Sequence, residues 1–291
     1  MKITNKFNLP ETIINVIKRP TYSKGKAHIS VTELMTSPQI VLLKRKHWEE
    51  ITQDASEMVW QIIGSAVHAV LEHGKSDNHI IEERIHANID GWDISGAIDL
   101  QEVNGDEITI SDYKTTGAWA VMNEKDDWHR QLNTYAWLVE NAKGQRVTKL
   151  QIIAIIRDWS AREAENKEGY PQSPIVTIDI PVWTIEERSS YIKRRIKMHS
   201  DAQFNEEMQD ELPECGSEDM WEKASSWALM KEGGVRAKKV YDNEAEAKLA
   251  MTKGYFVEHR PGERTRCKSY CQVSGFCKQY QNYLKETPNG N

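Results

Sequence analysis

Asp99, Asp112 and Lys114 are the residues whose types and spacing could do chemistry. They sit on two alternating apolar–polar runs, Trp92 to Val103 and Glu107 to Thr115, joined through Asn104-Gly105. Asn-Gly between such runs favours a two-residue hairpin loop. With Val103 opposite Asp106, Asp99 falls opposite Ile110. Asp112 is then a diagonal neighbour on the same face, roughly 7–8 Å away between backbones. Side-chain alternation puts Lys114 on that face too. Two carboxylates this close repel unless a proton or a cation intervenes. Hard divalent ions such as Mg²⁺ or Mn²⁺ take oxygen ligands and keep waters that can serve as nucleophile. An ammonium beside them can orient such a water or stabilise charge developing on a phosphate. On composition alone an Asp–Lys surface pair is the commoner arrangement, but Ile108 and Ile110 share the face and mark it as packed.

In order and spacing these residues resemble a known family. Asp99, the twelve residues after it, and Asp112-Tyr113-Lys114 resemble the PD-(D/E)xK nuclease signature. Gly64-Ser65-Ala66-Val67-His68 resembles the helical G-x-x-x-H element of the RecB-like branch, whose His is a metal ligand. Gly96-Ala97-Ile98-Asp99-Leu100 resembles the strand that carries its first Asp, and Gln131 to Tyr135 its Q-x-x-x-Y helix. The resemblance covers residues 60–140 and implies a restriction-endonuclease-like α/β core, a mixed central sheet flanked by helices. It implies that His68, Asp99 and Asp112 hold Mg²⁺ or Mn²⁺, with the Tyr113 carbonyl as a further ligand. Lys114 would help position the attacking water, while Gln131 and Tyr135 would support the site and the DNA backbone. The implied function is a metal-dependent DNA exonuclease in phage or bacterial recombination or repair, acting with a recombination partner protein in the cytoplasm. A structure-specific or restriction-type endonuclease is the alternative within enzymes, and a DNA-binding or assembly module with a structural metal centre is the alternative outside them. From the residues themselves, Gly64 leaves room for a close approach one turn before His68, and Glu82 or Glu83 could reach the site through an ion pair or water.

Four cysteines form a second constellation. Cys267, Cys271 and Cys277 are close together, and Cys215 lies fifty-two residues before the first of them. In a chain without a secretory leader, clustered cysteines more often bind metal than form disulfides. Four thiolates suit tetrahedral Zn²⁺ or an iron–sulfur cluster. Zinc sites usually show paired short knuckles, whereas here three ligands cluster and one is remote. The set resembles the iron–sulfur nucleases of the RecB-like branch, among them AddB-type and CRISPR-associated exonucleases, although their distant cysteine precedes the core. A [4Fe–4S] cluster is the first choice, zinc the second and free thiols the third.

The elements that must position these groups follow from periodicity. A helix is expected after Asp54, whose spacing to Glu57 suits a capping box; Trp60, Ile63, Val67, Val70 and Leu71 form its apolar stripe, and Gly74 its stop. Strands are expected over Ile80 to Ile89 and over the two runs above. Trp128, Leu132, Tyr135, Ala136 and Val139 give a helix from Asp127 to Asn141. Lys149 to Arg157 and Ile175 to Val182 read as strands, and Glu186 to His199 as a helix. Ser30 to Leu34 starts another helix, and Pro10 to Pro20 reads as an arm. These elements divide the chain into an N-terminal region over 1–50, a nuclease core over 51–200 and a cysteine-bearing region over 201–291.

The 291 residues are 39% hydrophobic and 28% charged, enough for a sizeable core. Mean hydropathy is -0.66, and no apolar run approaches a membrane span. The first residues lack a leader's apolar stretch, so secreted and membrane functions are not expected. A net charge of -6 argues against a uniformly basic coat protein for nucleic acid, though not against a local basic groove. Residues 201–222 carry nine acids and no Lys or Arg, and read as a solvated linker or helix face. Residues 231–280 carry eleven basic against six acidic residues and offer either a solvated surface or one facing nucleic acid. Trp60, Trp128 and Trp137 fall at core positions of helices; Trp48, beside Lys44-Arg45-Lys46, is the better candidate of these for stacking on an unpaired base, with core packing the commoner reading for it too.

Overall fold

The computed structural model describes residues 1–19, 24–74, 76–123 and 125–286. The chain forms two compact units. One comprises Lys2–Thr36 and Thr52–Gln209; the other comprises Met1, Ser37–Ile51 and Asp210–Asn291. Among the described residues no helix is long and apolar enough to cross a membrane.

The first unit is built on a mixed sheet. In chain order the sheet strands and the main helices of this unit are β1 (Ile29–Ser30), α1 (Val31–Met35), α2 (Val59–Leu71), β2 (His79–Ile89), β3 (Trp92–Asn104), β4 (Glu107–Thr116), α3 (Asp126–Lys143), β5 (Arg146–Ile156), β6 (Ile175–Ile180) and α4 (Ile185–Glu207). The sheet runs β1-β3-β4-β5-β6, with β2 on the other edge of β3. β4 and β5 are parallel and connected through α3, while β2-β3, β3-β4 and β5-β6 are antiparallel. Ile94, Ile98, Ile108, Ile110, Leu150 and Ile152 from the sheet are buried with Leu132 and Leu138 of α3 and Ile192 of α4. The mixed α/β core expected from the sequence is therefore present. Ser30 starts α1 with a complete capping box to Glu33. Gly144, at φ 68°, ends α3 in the left-handed conformation that glycine adopts without strain.

β3 forks. Its first edge pairs with β2 from Trp92 to Glu102. Its second edge pairs with β1 at Ile94 and Ser95 and with β4 only from Leu100 to Asn104. Beyond Ser111, β4 continues on β5 alone, so β3 and β4 part between Asp99 and Asp112. The hairpin register differs from expectation by two residues: Asn104 pairs with Glu107 and Val103 with Ile108. Gly105, at φ 65°, is the first central residue of the turn rather than the second. A slip of two residues keeps every side chain on its face, and the same register continued places Asp99 opposite Asp112 itself.

Other expectations need correction. Asp54 accepts from the Ser56 N–H to start a single 3₁₀ turn over Ala55–Met58, and α2 begins only at Val59. None of α2's residues is buried. Trp60 is 55% exposed, so the apolar stripe is not a core stripe; Trp128 and Trp137 are buried. A methyl group at Gly64 would meet no atom within 4 Å beyond the helix's own neighbouring backbone, so no other element packs onto that glycine. The arm contains a helix over Glu11–Ile17, and its last residue, Pro20, lies outside the described residues. The acidic stretch is helical as far as Glu207.

In the second unit Ser226–Lys231 pairs antiparallel with both Ala237–Tyr241 and Tyr255–Arg260. The helices Pro38–Lys46 and Lys278–Glu286 contribute Leu43 and Tyr280 to a small core with Ile51, Val273 and Cys277.

Candidate active site

The fork exposes backbone groups that a ladder would otherwise consume. Asp99, buried on β3, accepts the Tyr113 backbone N–H at 2.8 Å. In an extended strand one residue's N–H and C=O face the same edge, so the Tyr113 carbonyl faces the fork as well.

Two groups of side chains meet there. On one side His68 Nδ1 lies 3.3 Å from Glu82 Oε1 and 3.5 Å from Asp99 Oδ1. One donor atom from each of the three lies within 4.8 Å of the others, a span that the ligands of one ion can occupy. On the other side Asp112, 2% exposed, forms a 2.6 Å ion pair with Lys114 Nζ. That contact is off the angle of a hydrogen bond, and Asp112 Oδ2 is a buried acceptor without a hydrogen-bond donor. Lys114 Nζ donates to Gln131 Oε1 at 3.0 Å, and Gln131 Nε2 lies 3.1 Å from Asp112 Oδ1 and 2.9 Å from the Tyr135 hydroxyl. Gln131 and Tyr135 reach the site together because they are one turn apart on α3. Gly96 lets that helix close on the sheet, since a methyl group there would come within 2.7 Å of Tyr135 Cε1.

The electrostatics suit a cation. Burial, and then the Asp112 charge, push the Asp99 carboxyl up to about 7, against the opposing pull of His68, the Tyr113 N–H and Lys114. The bond to Glu82 and the neighbouring carboxylates raise the His68 imidazole above its ordinary range, despite burial. An imidazole, two carboxylates and an acceptor-only buried oxygen form a donor set that Mg²⁺ or Mn²⁺ fits.

His68, Asp99, Asp112, Tyr113, Lys114, Gln131 and Tyr135 thus gather at one fork. Glu82 joins them, while Glu83 turns away to Lys143 and Gln101. Glu82 was the residue least visible in the sequence, yet a signal existed. Asp90-Gly91 is a two-residue turn with both φ angles positive, at 50° and 84°, and it sets Ile89 opposite Trp92. That register brings Glu82 opposite Asp99. Glu82 itself has a φ of 51°, a strained conformation for a non-glycine strand residue.

The four cysteines are in the second unit, lining one pocket with Gln39, Ile40 and Arg266. Burial pushes the Cys215 thiol up to about 12 and that of Cys267 to about 11, and raises Cys271 in the same sense. Gln39 Oε1 accepts from both Cys215 and Cys277, at 3.4 and 3.3 Å. Trp48 is 43% exposed, with the Lys44 ammonium 5.8 Å from its ring centre. Much of the basic tail is locally neutralised: Arg260 pairs with Glu258, Arg264 with Glu222 and Lys268 with Glu263.

Among solved structures the chain is similar to SSO0001, at 17% identity and a TM-score of 0.43, covering 68% of this chain and 87% of that one. It is similar to an alkaline exonuclease from Laribacter hongkongensis at 10% identity and a TM-score of 0.32, covering 53% and 71%. A candidate exonuclease from Eubacterium rectale gives 12%, 0.29, 60% and 64% in the same order. No curated protein matches the chain. The family model described as the PD-(D/E)XK nuclease superfamily matches residues 42–278, a span that includes the whole fork, and the chain belongs to that superfamily.

Proposed function

We propose that the protein is a metal-dependent deoxyribonuclease of the RecB-like branch, acting as an exonuclease. The observation that carries this is the fork itself: His68, Glu82 and Asp99 converge beside the Asp112–Lys114 pair. His68, Asp99, Asp112 and the Tyr113 carbonyl hold Mg²⁺ or Mn²⁺, and Glu82 completes the donor set. A bound divalent ion supplies charge neutralisation at the scissile phosphate and acidifies a water for in-line attack. Lys114 orients the attacking water and offsets charge growing on the phosphate. Gln131 holds Lys114 and Asp112 in register, and Tyr135 fixes Gln131. Exonuclease action is supported by the likeness of Gly64 to His68 and of Gln131 to Tyr135 to the RecB-like motifs. A role in bacterial or phage recombination or repair follows from the same likeness.

The cysteines hold a structural [4Fe–4S] cluster in this reading. The reading is supported by the four cysteines lining one pocket, with three close in sequence and Cys215 remote, unlike the paired short knuckles of zinc sites.

The test is digestion of end-labelled linear DNA and closed circular DNA with Mg²⁺, Mn²⁺ or EDTA. Loss of end label only with a divalent ion, with circles intact, is the expected result. Asp112→Ala and Lys114→Ala should abolish cleavage while DNA binding persists. Cut circles would make the enzyme an endonuclease, and wild-type turnover by either variant would overturn the site.

A further inference from the structure

α2 is an apolar helix without a buried residue, and its most conspicuous exposed side chain is Trp60. Trp60, Gly64 and His68 follow one another at intervals of four residues, so they share one face of the helix. His68 is at the fork. Gly64 presents bare backbone to open space, with no atom outside its own stretch of helix backbone within 4 Å of the position a methyl would take. A glycine inside a helix costs roughly 0.5–1 kcal/mol against alanine, and here no protein contact offsets it. Trp60 lies about 12 Å from His68 along the helix axis, a few nucleotides' reach. The Arg157 guanidinium is 4.1 Å from the centre of the Trp60 ring, and Arg157 itself is exposed. The Arg157 N–H donates to the Thr116 carbonyl at the end of β4, two residues beyond Lys114, so the pair sits at the catalytic end of the strand.

We propose that Trp60, backed by Arg157, is a stacking platform for an unpaired base of the strand whose phosphate reaches His68. The chain would therefore take single-stranded DNA ends. The proposal rests on the nuclease reading for the strand's direction, and on the geometry of α2 for the platform. Arg157 occupies one face of the indole, so a base stacks on the other and the guanidinium adds positive charge for the backbone. Bare backbone at Gly64 lets the sugar–phosphate chain pass between the platform and the fork. Stacking of this kind tolerates any base, because every base has a π-face.

The test is fluorescence anisotropy in EDTA, with a short labelled single-stranded oligonucleotide and a set in which one abasic site is moved along the strand. Trp60→Ala should weaken binding about tenfold or more, and Trp60→Phe should stay close to wild type. For wild type, one abasic position should cost a similar factor, and Trp60→Ala should show no further loss at that position. Melting curves should be unchanged for both variants, since the indole is exposed. Trp60→Ala binding within about twofold of wild type would overturn the proposal. So would losses that simply multiply when Trp60→Ala meets the abasic strand, or wild-type protein that binds no single strand. Because no cleavage occurs in EDTA, the two readings fail separately. Coupling between Trp60 and the abasic position without any metal-dependent cleavage would sink the nuclease reading alone. Normal cleavage without that coupling would sink the platform alone.

Discussion

The Asp99 carboxylate accepts the Tyr113 backbone N–H at 2.8 Å, in the place a ladder carbonyl would occupy had β3 and β4 not parted. The carboxyl therefore replaces a missing strand contact and is held in one orientation by it. The same burial makes its charge expensive, which is why its proton is retained up to about pH 7.

Asp99→Asn should accordingly stabilise the metal-free protein at alkaline pH. A carboxyl whose pKa is raised on folding favours the folded state at low pH, and that contribution is lost as pH rises through about 7. The amide oxygen still accepts the Tyr113 N–H and carries no charge. Thermal melts at pH 8 should show Asp99→Asn higher by about 2–4 °C, the shift that 1 kcal/mol gives in a protein of this class. The gap should close as pH falls below 7 and wild-type Asp99 takes up its proton. A variant that melts lower at pH 8 would contradict the electrostatic account.

How much of this was legible in the sequence depends on the residue. The placing of Asp99 and Asp112 on one face does not depend on the error of two residues in the turn, because side-chain alternation has a period of two. Glu82 could have been found from Asp90-Gly91, whose turn chemistry brings it opposite Asp99. Trp60 could not. Periodicity shows which side chains share a helix face but not whether anything covers it, and α2 remains uncovered in its own unit. Gln131 is intermediate: its spacing to Tyr135 was visible, but its bridge between Lys114 and Asp112 exists only once α3 crosses the sheet.

The two glycines of the site region should respond oppositely to alanine. At Gly96 the new methyl would press within 2.7 Å of Tyr135 Cε1 and 2.9 Å of Leu138 Cδ1. Overpacking of this kind costs about 1–3 kcal/mol, and displacing Tyr135 should lower kcat as well. Gly64→Ala meets open space and gains helix propensity, so it should stabilise by roughly 0.5–1 kcal/mol. Urea midpoints for the two variants measure both effects. Equal shifts of the same sign would show that the close approach of α3 to β3 at Gly96 is wrong.

Gln131 should affect turnover more than substrate binding. Its amide joins Lys114 Nζ to Asp112 Oδ1, so Gln131→Ala frees the ammonium and the carboxylate to reorient. Removing a group that orients the groups at a metal site typically costs about 10–100-fold. The expected result is that loss in kcat, with KM for DNA nearly unchanged. Tyr135→Phe removes only the hydroxyl beside Gln131 Nε2 and should cost less. A rise in KM at unchanged kcat would instead make Gln131 a DNA-binding residue.

The cysteine centre gives the last prediction. Burial holds the Cys215, Cys267 and Cys271 thiols protonated well past neutral pH. Binding as thiolates must therefore release protons, and loading should fall as pH falls. Protein purified without oxygen should be brown and carry about four iron atoms per chain, in keeping with a [4Fe–4S] centre. Cys215 lies far from the other three in sequence, so the centre closes a long loop and constrains the unfolded chain. Cys215→Ser should thus bleach the colour and lower the melting temperature, and Cys271→Ser should do the same. Because all four cysteines belong to the unit that lacks Asp99 and Asp112, iron loss should lower stability without changing the metal dependence of the remaining cleavage. A colourless protein with one zinc per chain would replace the cluster by a mononuclear site. Four freely titratable thiols in native, metal-free protein that is as stable as the freshly purified chain would remove the centre altogether.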